Sequence, residues 1–135
     1  MPTPPSVERR LLAAQGGFYL AAGVWPLLDR ASFEKVTGPK TDFWLVRTVG
    51  ALIAVTGASL IVAARRRWAS EEAKVLAAGS AAALATVDVV YSRKGRISPV
   101  YLLDAAVELA LLGAWAAASA SARRGGGPPE ILAGE

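Results

Sequence analysis

The chain of 135 residues contains neither cysteine nor histidine. These residues supply the thiolate and imidazole groups of Cys-His nucleophiles, disulfide exchange, iron–sulfur ligation and the usual zinc and haem sites, so all of these are excluded. A metal would need an all-oxygen site of carboxylates and carbonyls, which suits Mg²⁺ or Ca²⁺. Neither glycine-rich phosphate motif, G-x-x-x-x-G-K-[ST] or G-x-G-x-x-G, occurs. We predict no metal and no cofactor.

Charge is also scarce, at 19% of residues, and its balance is basic, with a net charge of +4. In a soluble protein this balance would raise nucleic-acid binding as a function. Here the basic residues form short clusters beside apolar segments, where they meet lipid headgroups and set topology. We therefore predict membrane lipids as partners and no nucleic acid.

Apolar residues are abundant, at 53% of the chain with a mean hydropathy of +0.37. They concentrate in segments long enough to approach or span a hydrocarbon core of ~30 Å as helices. The sequence predicts an all-α protein, a transmembrane four-helix bundle in a single domain. The predicted helices cover about 11–28, 43–64, 73–91 and 98–119, with an N-terminal tail over 1–10 and a flexible tail over 120–135.

Several boundaries carry capping signals. Thr41 or Asp42 is placed to cap the second helix, Ser70 precedes two acids at the start of the third, and Ser98-Pro99 resembles an N-cap followed by proline at the first helical position. The first helix follows Arg9-Arg10 and is similar to a signal peptide. Because no clean small-x-small cleavage site follows it, we expect a retained helix.

The membrane orientation is predicted from the lysines and arginines on each side of the set of predicted helices. Eight lie on the side of both termini and six on the opposite side. The positive-inside rule then predicts a multi-pass protein of the plasma (inner) membrane with both termini cytoplasmic, although the margin also leaves a reversed or dual orientation open. The eight are Arg9, Arg10, Arg65, Arg66, Arg67, Lys74, Arg123 and Arg124.

Four charged residues lie inside the apolar segments: Arg47, Asp88, Asp104 and Glu108. A charge at the bilayer centre costs at least ~2.5–3.5 kcal/mol, so such residues usually face protein or a wet cavity and pair with one another. Counted along their helices, all four lie in the half opposite the termini. We predict that they form one buried catalytic or binding site.

Arg47 shares its helix face with a stripe of small residues that includes Gly50 and Gly57, so we expect it to point into the protein. One arginine cannot neutralise three buried carboxylates. Desolvation and mutual repulsion therefore favour a protonated form of at least one acid, and the deepest is Glu108. A simpler interpretation is that Arg47 and one aspartate only hold helices together, with the other acids hydrogen-bonded nearby.

Five further side chains are predicted to bind a ligand beside these charges: Gln15, Tyr19, Trp25, Tyr91 and Tyr101. Several of these aromatic residues lie near helix ends, where a belt of interfacial aromatics is the alternative interpretation. The longest connection, 29–42, lies next to the predicted site, and Phe33 with Val36 gives it an apolar side. It is predicted to act either as a lid or as a plain connector.

The runs WPLLDRASFEKVTGPKTDFWLVRTVG (25–50) and ISPVYLLDAAVELALL (97–112) resemble stretches of small bacterial four-helix membrane proteins that have no assigned activity. The resemblance covers about 18–115 and implies a fold and no function. In size, helix number and intramembrane acids the chain is also remotely similar to EXPERA-type sterol isomerases and DoxX-like proteins. The histidine expected in sterol-isomerase sites is missing, which argues against that activity.

The leading hypothesis is a site for a lipophilic small molecule, with acid–base chemistry such as isomerisation as one option. In it Arg47 orients a carboxylate or ligand oxygen, Asp104 and Glu108 transfer protons, and Asp88 completes the network. A proton- or cation-coupled transporter or channel, acting as a homo-oligomer, is the first alternative. An accessory subunit of a membrane complex is the second. Whether the protein is an enzyme stays open.

Overall fold

The structure is a computed structural model, and it describes residues 6–125. Within this range the chain forms five helices, of which four are long and apolar enough to cross a membrane. The all-α, four-helix prediction is confirmed, and one short helix is added between the first two long ones. The helices are α1 (Val7–Leu28), α2 (Arg30–Thr37), α3 (Phe43–Ala64), α4 (Glu71–Arg93) and α5 (Tyr101–Gly125).

The helix ends partly follow the predicted signals. Ser70 caps α4 by accepting a 3.2 Å hydrogen bond from the backbone N–H of Ala73, as expected. Asp42 occupies the cap position of α3, but its side chain makes no capping hydrogen bond. Ser98 does not start a helix directly: Tyr101 N–H donates to its carbonyl over 3.1 Å in a tight turn, and α5 begins at Tyr101.

Both predicted tails are shorter than expected where the structure describes them. Ser6 caps α1 by accepting from Arg9 N–H, which lets the helix begin at Val7 rather than near residue 11. At the other end α5 continues through residues 120–125, since nothing in the alanine-rich run before Gly125 breaks a helix. The rest of the predicted flexible tail, 126–135, lies outside the described residues.

The closest pair of helices is α1 and α3, which run antiparallel and meet at glycines. A Cβ atom added at Gly16 would lie 2.7 Å from the carbonyl oxygen of Gly57, and one at Gly50 would lie 2.7 Å from that of Gly23. Each helix therefore carries two glycines seven residues apart, and the backbones approach where no side chain fits. The small stripe of α3 packs within this chain and is not a free surface.

The half of the molecule near the termini contains the hydrophobic core. Its core holds Leu12, Leu60 and Trp115, all less than 5% exposed. Next to this core Arg9 Nε donates a 3.0 Å hydrogen bond to the carbonyl of Ala64, the last residue of α3. This carbonyl is one of those that have no partner within the helix. The helices are held together most firmly at this end.

The outward surface of the long helices is apolar. Large exposed side chains occur on all four of them. A soluble protein rarely shows such continuous apolar faces, whereas helices surrounded by lipid do. Examples are Leu52, Val55, Val75 and Leu109.

Candidate functional site

A cavity of about 770 Å³ occupies the half of the helix arrangement opposite the termini. Its walls come from all five helices and from the turn before α5, and they are mainly aliphatic and aromatic. Towards the termini the contact of Gly16 with Gly57 and the core residues Leu12, Leu60 and Trp115 occupy the interior. The cavity therefore ends within the molecule and does not continue as a channel between the described helices.

Three carboxyl groups line this cavity: Asp88 from α4, and Asp104 and Glu108 from α5. Asp88 and Asp104 face the same part of the cavity from neighbouring helices. Glu108 lies one helical turn further along α5 and is 0% exposed. Carboxyl groups that line one cavity can hold and pass on a proton.

Two buried carboxyl oxygens that belong to this wall have no hydrogen-bond partner: Oδ2 of Asp88 and Oε1 of Glu108. Asp88 is only 5% exposed. Leaving a buried acceptor unpaired costs about 1–3 kcal/mol, and more for a charged group. Such atoms in a cavity wall are where a donor from a bound molecule or a water would be held.

Tyr19 of α1 ties this wall to the rest of the fold. Its phenol donates a 2.6 Å hydrogen bond to Oε2 of Glu108, and its side chain is 1% exposed. Gln15 lies one helical turn before Tyr19 on α1, closer to the termini. It accepts a 2.8 Å hydrogen bond from Trp115 Nε1 and donates one of 2.8 Å to the carbonyl of Ala77. Gln15 joins α1, α4 and α5 beneath the cavity and is not one of its lining residues.

The helix α2 covers the end of the cavity, which supports the lid interpretation of the 29–42 connection over a plain connector. Phe33, Val36 and Thr37 face the cavity. The helix is anchored by Trp25, whose Nε1 donates a 2.8 Å hydrogen bond to Ser32 Oγ and whose ring meets Phe33 edge-on at 5.3 Å. The side chain of Asp29 caps α2 by accepting from Ser32 N–H.

Lys40 fixes the far end of α2. Its ammonium donates hydrogen bonds of 2.8 Å to the carbonyl of Thr37 and 3.1 Å to that of Gly38, and it lies 5.3 Å from the ring centre of Tyr101. Partial burial lowers the pKa of Lys40 below its ordinary value, and the nearby Glu34 opposes this shift. Sequence reasoning missed Lys40; its position just after Gly38-Pro39, where helix carbonyls are left open, is the signal that was available.

Arg47 does not join the carboxyl groups, so the expectation that it points into the protein is wrong. Its side chain is exposed, and its guanidinium lies 5.2 Å from the ring centre of Phe43. Arg47 is only one turn from the start of α3, and a side chain of this length reaches back to the boundary of the helix. No lysine or arginine lines the cavity.

Tyr91 also lies away from the cavity. It is 44% exposed, and the ammonium of Lys94 lies 5.6 Å from its ring centre. Tyr91 belongs to the last turn of α4, which closes immediately afterwards: Gly95 adopts φ +69°, and Arg96 N–H donates back to the carbonyl of Tyr91 over 2.9 Å. The belt interpretation fits Tyr91, whereas Tyr19, Trp25 and Tyr101 line the cavity. Their roles stay predictions.

Several residues that line the cavity are also exposed at the surface of the molecule. Val49 of α3 and Val107 of α5 are two of them, at 51% and 42%. Each lies six residues after the first residue of its helix, ~9 Å along the helix axis. The helices α3 and α5 hardly contact each other in the described part of the chain.

These features define the class: a small multi-pass membrane protein with a one-sided, acid-lined cavity. Comparisons with protein-family models, with curated proteins and with solved structures found no match to this chain.

Proposed function

We propose that this protein binds a lipophilic small molecule in the cavity between α1, α3, α4 and α5. The observation that carries the proposal is the pair of unpartnered, buried carboxyl oxygens of Asp88 and Glu108 in an otherwise apolar wall. Ligand sites typically combine a mainly apolar lining with a few convergent polar groups. A volume of about 770 Å³ lies in the range of such sites.

The closed end of the cavity favours binding over conduction. A transport pathway needs polar groups that continue to the opposite face. On that side the interior holds the core residues Leu12, Leu60 and Trp115, with the contact of Gly16 and Gly57 beside them. Gln15 is polar but is occupied by two hydrogen bonds.

If the bound molecule reacts, proton transfer by the carboxyl groups is the chemistry at hand. Asp88 and Asp104 line the same cavity, and Glu108 is held there by the phenol of Tyr19. Carboxyl groups in one site can serve as general acid and base. Arg47 has no role in this step, because its guanidinium lies outside the cavity.

We also propose that the protein lies in the plasma (inner) membrane with both termini cytoplasmic. Eight lysines and arginines lie on the side of the termini and six on the opposite side, and this difference supports the orientation. The cavity would then lie in the outer half of the membrane. A cysteine-free chain allows a direct test with single cysteines at exposed positions such as Val36 and Arg65, probed with an impermeant maleimide.

Native mass spectrometry of protein released from nanodiscs tests the binding proposal. Wild type is compared with Asp104→Asn and Glu108→Gln, and with the matched controls Asp42→Asn and Glu72→Gln, whose acids are exposed at helix starts. We expect a lipophilic adduct in wild type and in both controls that is lost from the two cavity variants. An adduct-free protein in every sample would overturn the proposal, and an adduct-free dimer would direct the work to proton-flux assays in liposomes.

A further inference from the structure

We propose that the ligand is an amphiphile with a cationic, hydrogen-bond-donating head, such as a protonated amine, which sits at Asp88, Asp104 and Glu108. Its apolar tail leaves the cavity through the gap between Val49 and Val107. This inference rests on the proposed binding function and adds the charge of the ligand and its route.

The charged residues that line the cavity are all acidic: three acids and no base face it. Basic groups at the same end of the molecule have other contacts: Lys40 donates to two backbone carbonyls, and Arg47 is exposed beside Phe43. Within residues 6–125 the positive partner that buried carboxylates need is therefore not supplied by the protein beside them.

The cavity wall contains hydrogen-bond acceptors that have no donor. Asp88 Oδ2 and Glu108 Oε1 are buried and lack donors, while Oε2 of Glu108 already accepts from Tyr19. A protonated primary amine brings three donors and one positive charge, so it can serve two acceptors at once. A neutral alcohol brings a single donor, and a carboxylate brings only acceptors and a repelling charge. The residues 6–125 hold no group of three acids arranged as a metal site, which favours an organic cation.

The exposed part of the cavity lining is apolar. Leu45 and Val49 on α3 and Leu103 and Val107 on α5 all line the cavity, and all four are exposed. Leu45 and Leu103 each lie two residues after the first residue of their helices, so the two pairs have matching positions along α3 and α5. A gap with apolar edges among lipid-facing helices accepts an alkyl chain and excludes water. The ligand therefore reaches the carboxyl groups from the bilayer.

The experiment compares three probes that share one chain and differ in the head: dodecylamine, dodecanol and dodecanoate. Each is added at neutral pH to the full chain in phosphatidylcholine nanodiscs, and bound probe is counted by native mass spectrometry. We expect dodecylamine to occupy the protein at least about tenfold more than dodecanol or dodecanoate, which corresponds to about 1.4 kcal/mol. Occupancy should fall by a similar factor in Asp88→Asn and Glu108→Gln and stay unchanged in Asp42→Asn.

The outcomes separate the two proposals. If no probe binds above the level of the controls, the binding function itself fails. If dodecanol or dodecanoate binds as well as dodecylamine, the cavity binds lipophilic molecules, and the inference of a cationic head is overturned. Circular dichroism of each variant checks that the helices persist, so a loss of binding in a folded variant reports on the site.

A separate sample distinguishes the source of the amine. Phosphatidylethanolamine carries a protonated amine on a membrane lipid, whereas an alkylamine is a free amphiphile. In nanodiscs that contain phosphatidylethanolamine, an adduct of that lipid's mass would assign the site to a lipid headgroup. If only added dodecylamine is retained, the ligand is a free amine, since the phosphate of the lipid would lie unfavourably close to the acids.

Discussion

The phenol of Tyr19 on α1 and the carboxyl group of Glu108 on α5 are joined by a 2.6 Å hydrogen bond between two fully buried side chains. The two residues are 89 positions apart in the chain. Because Glu108 Oε1 has no partner, this hydrogen bond is the one direct polar contact that holds the glutamate at the cavity wall within residues 6–125. Tyr19 therefore positions Glu108 and leaves one oxygen free for another donor.

Replacing Tyr19 with phenylalanine should destabilise the protein by about 1–2 kcal/mol, because it leaves both oxygens of a buried carboxyl group without a donor. Stability is measured by unfolding in mixed detergent micelles, followed by circular dichroism. Tyr91→Phe is the matched control, since Tyr91 is 44% exposed and lies outside the cavity.

A double-mutant cycle with Glu108→Leu isolates this interaction, because leucine has no oxygen that could accept from the phenol. If Tyr19 acts through Glu108, the loss in the double variant is smaller than the sum of the two single losses by at least about 0.5 kcal/mol. Strictly additive losses would show that the hydrogen bond contributes nothing to stability and that Tyr19 acts through packing alone.

The glycine contacts between α1 and α3 predict a sharp contrast within one helix. A Cβ at Gly16 would meet the carbonyl of Gly57 at 2.7 Å, whereas one at the adjacent Gly17 would meet nothing within 4 Å. Gly16→Ala should therefore cost about 1–3 kcal/mol through overpacking. Gly17→Ala should be neutral or stabilising by up to about 1 kcal/mol, because alanine favours the helix.

Thermal or detergent unfolding of both variants tests this contrast. Gly113→Ala on α5 is a second control with open space around it. Equal stability of Gly16→Ala and Gly17→Ala would mean that the two helices do not approach as closely as described.

Lys40 gives a prediction for pH. Burial lowers the pKa of its ammonium in the folded protein relative to an ordinary lysine near ~10.4. The folded state then binds its proton less tightly than the unfolded chain, so the contribution of Lys40 to unfolding free energy increases as pH rises through the folded pKa. An NMR titration of ¹³C-labelled lysine, assigned with Lys40→Arg, should give a midpoint below that of free lysine. A midpoint at or above the ordinary value would contradict the described burial.

The sequence predicts much of the fold because hydrophobic length, caps and charge clusters are local signals. Four apolar segments and the cap at Ser70 correspond to observed helices. The pairing of α1 with α3 is less local, yet a signal existed: Gly16 and Gly23 repeat the seven-residue spacing of Gly50 and Gly57. Matching the two spacings would have identified the pair.

The candidate site was only partly predictable. Helix position placed Asp88, Asp104 and Glu108 in the half of the protein opposite the termini, and all three line the cavity there. It misplaced Arg47. A long charged side chain near a helix end turns towards the nearest solvent boundary, and the spacing of residues along the helix does not give the position of that boundary. The cover formed by α2 depends on tertiary contacts such as Trp25 with Ser32.

The gap between α3 and α5 predicts a route that can be blocked. Val49→Cys combined with Val107→Cys places thiols on its two edges in a chain that has no other cysteine. Joining them with a bis-maleimide should slow dodecylamine uptake at least about tenfold, since the probe can no longer pass between the helices. Native mass spectrometry of samples taken over time follows uptake. The doubly substituted protein without the cross-linker is the matched control and should take up the probe at the rate of the wild type. Equal rates before and after cross-linking at Val49 and Val107 would mean that the ligand reaches the carboxyl groups from beneath α2 instead.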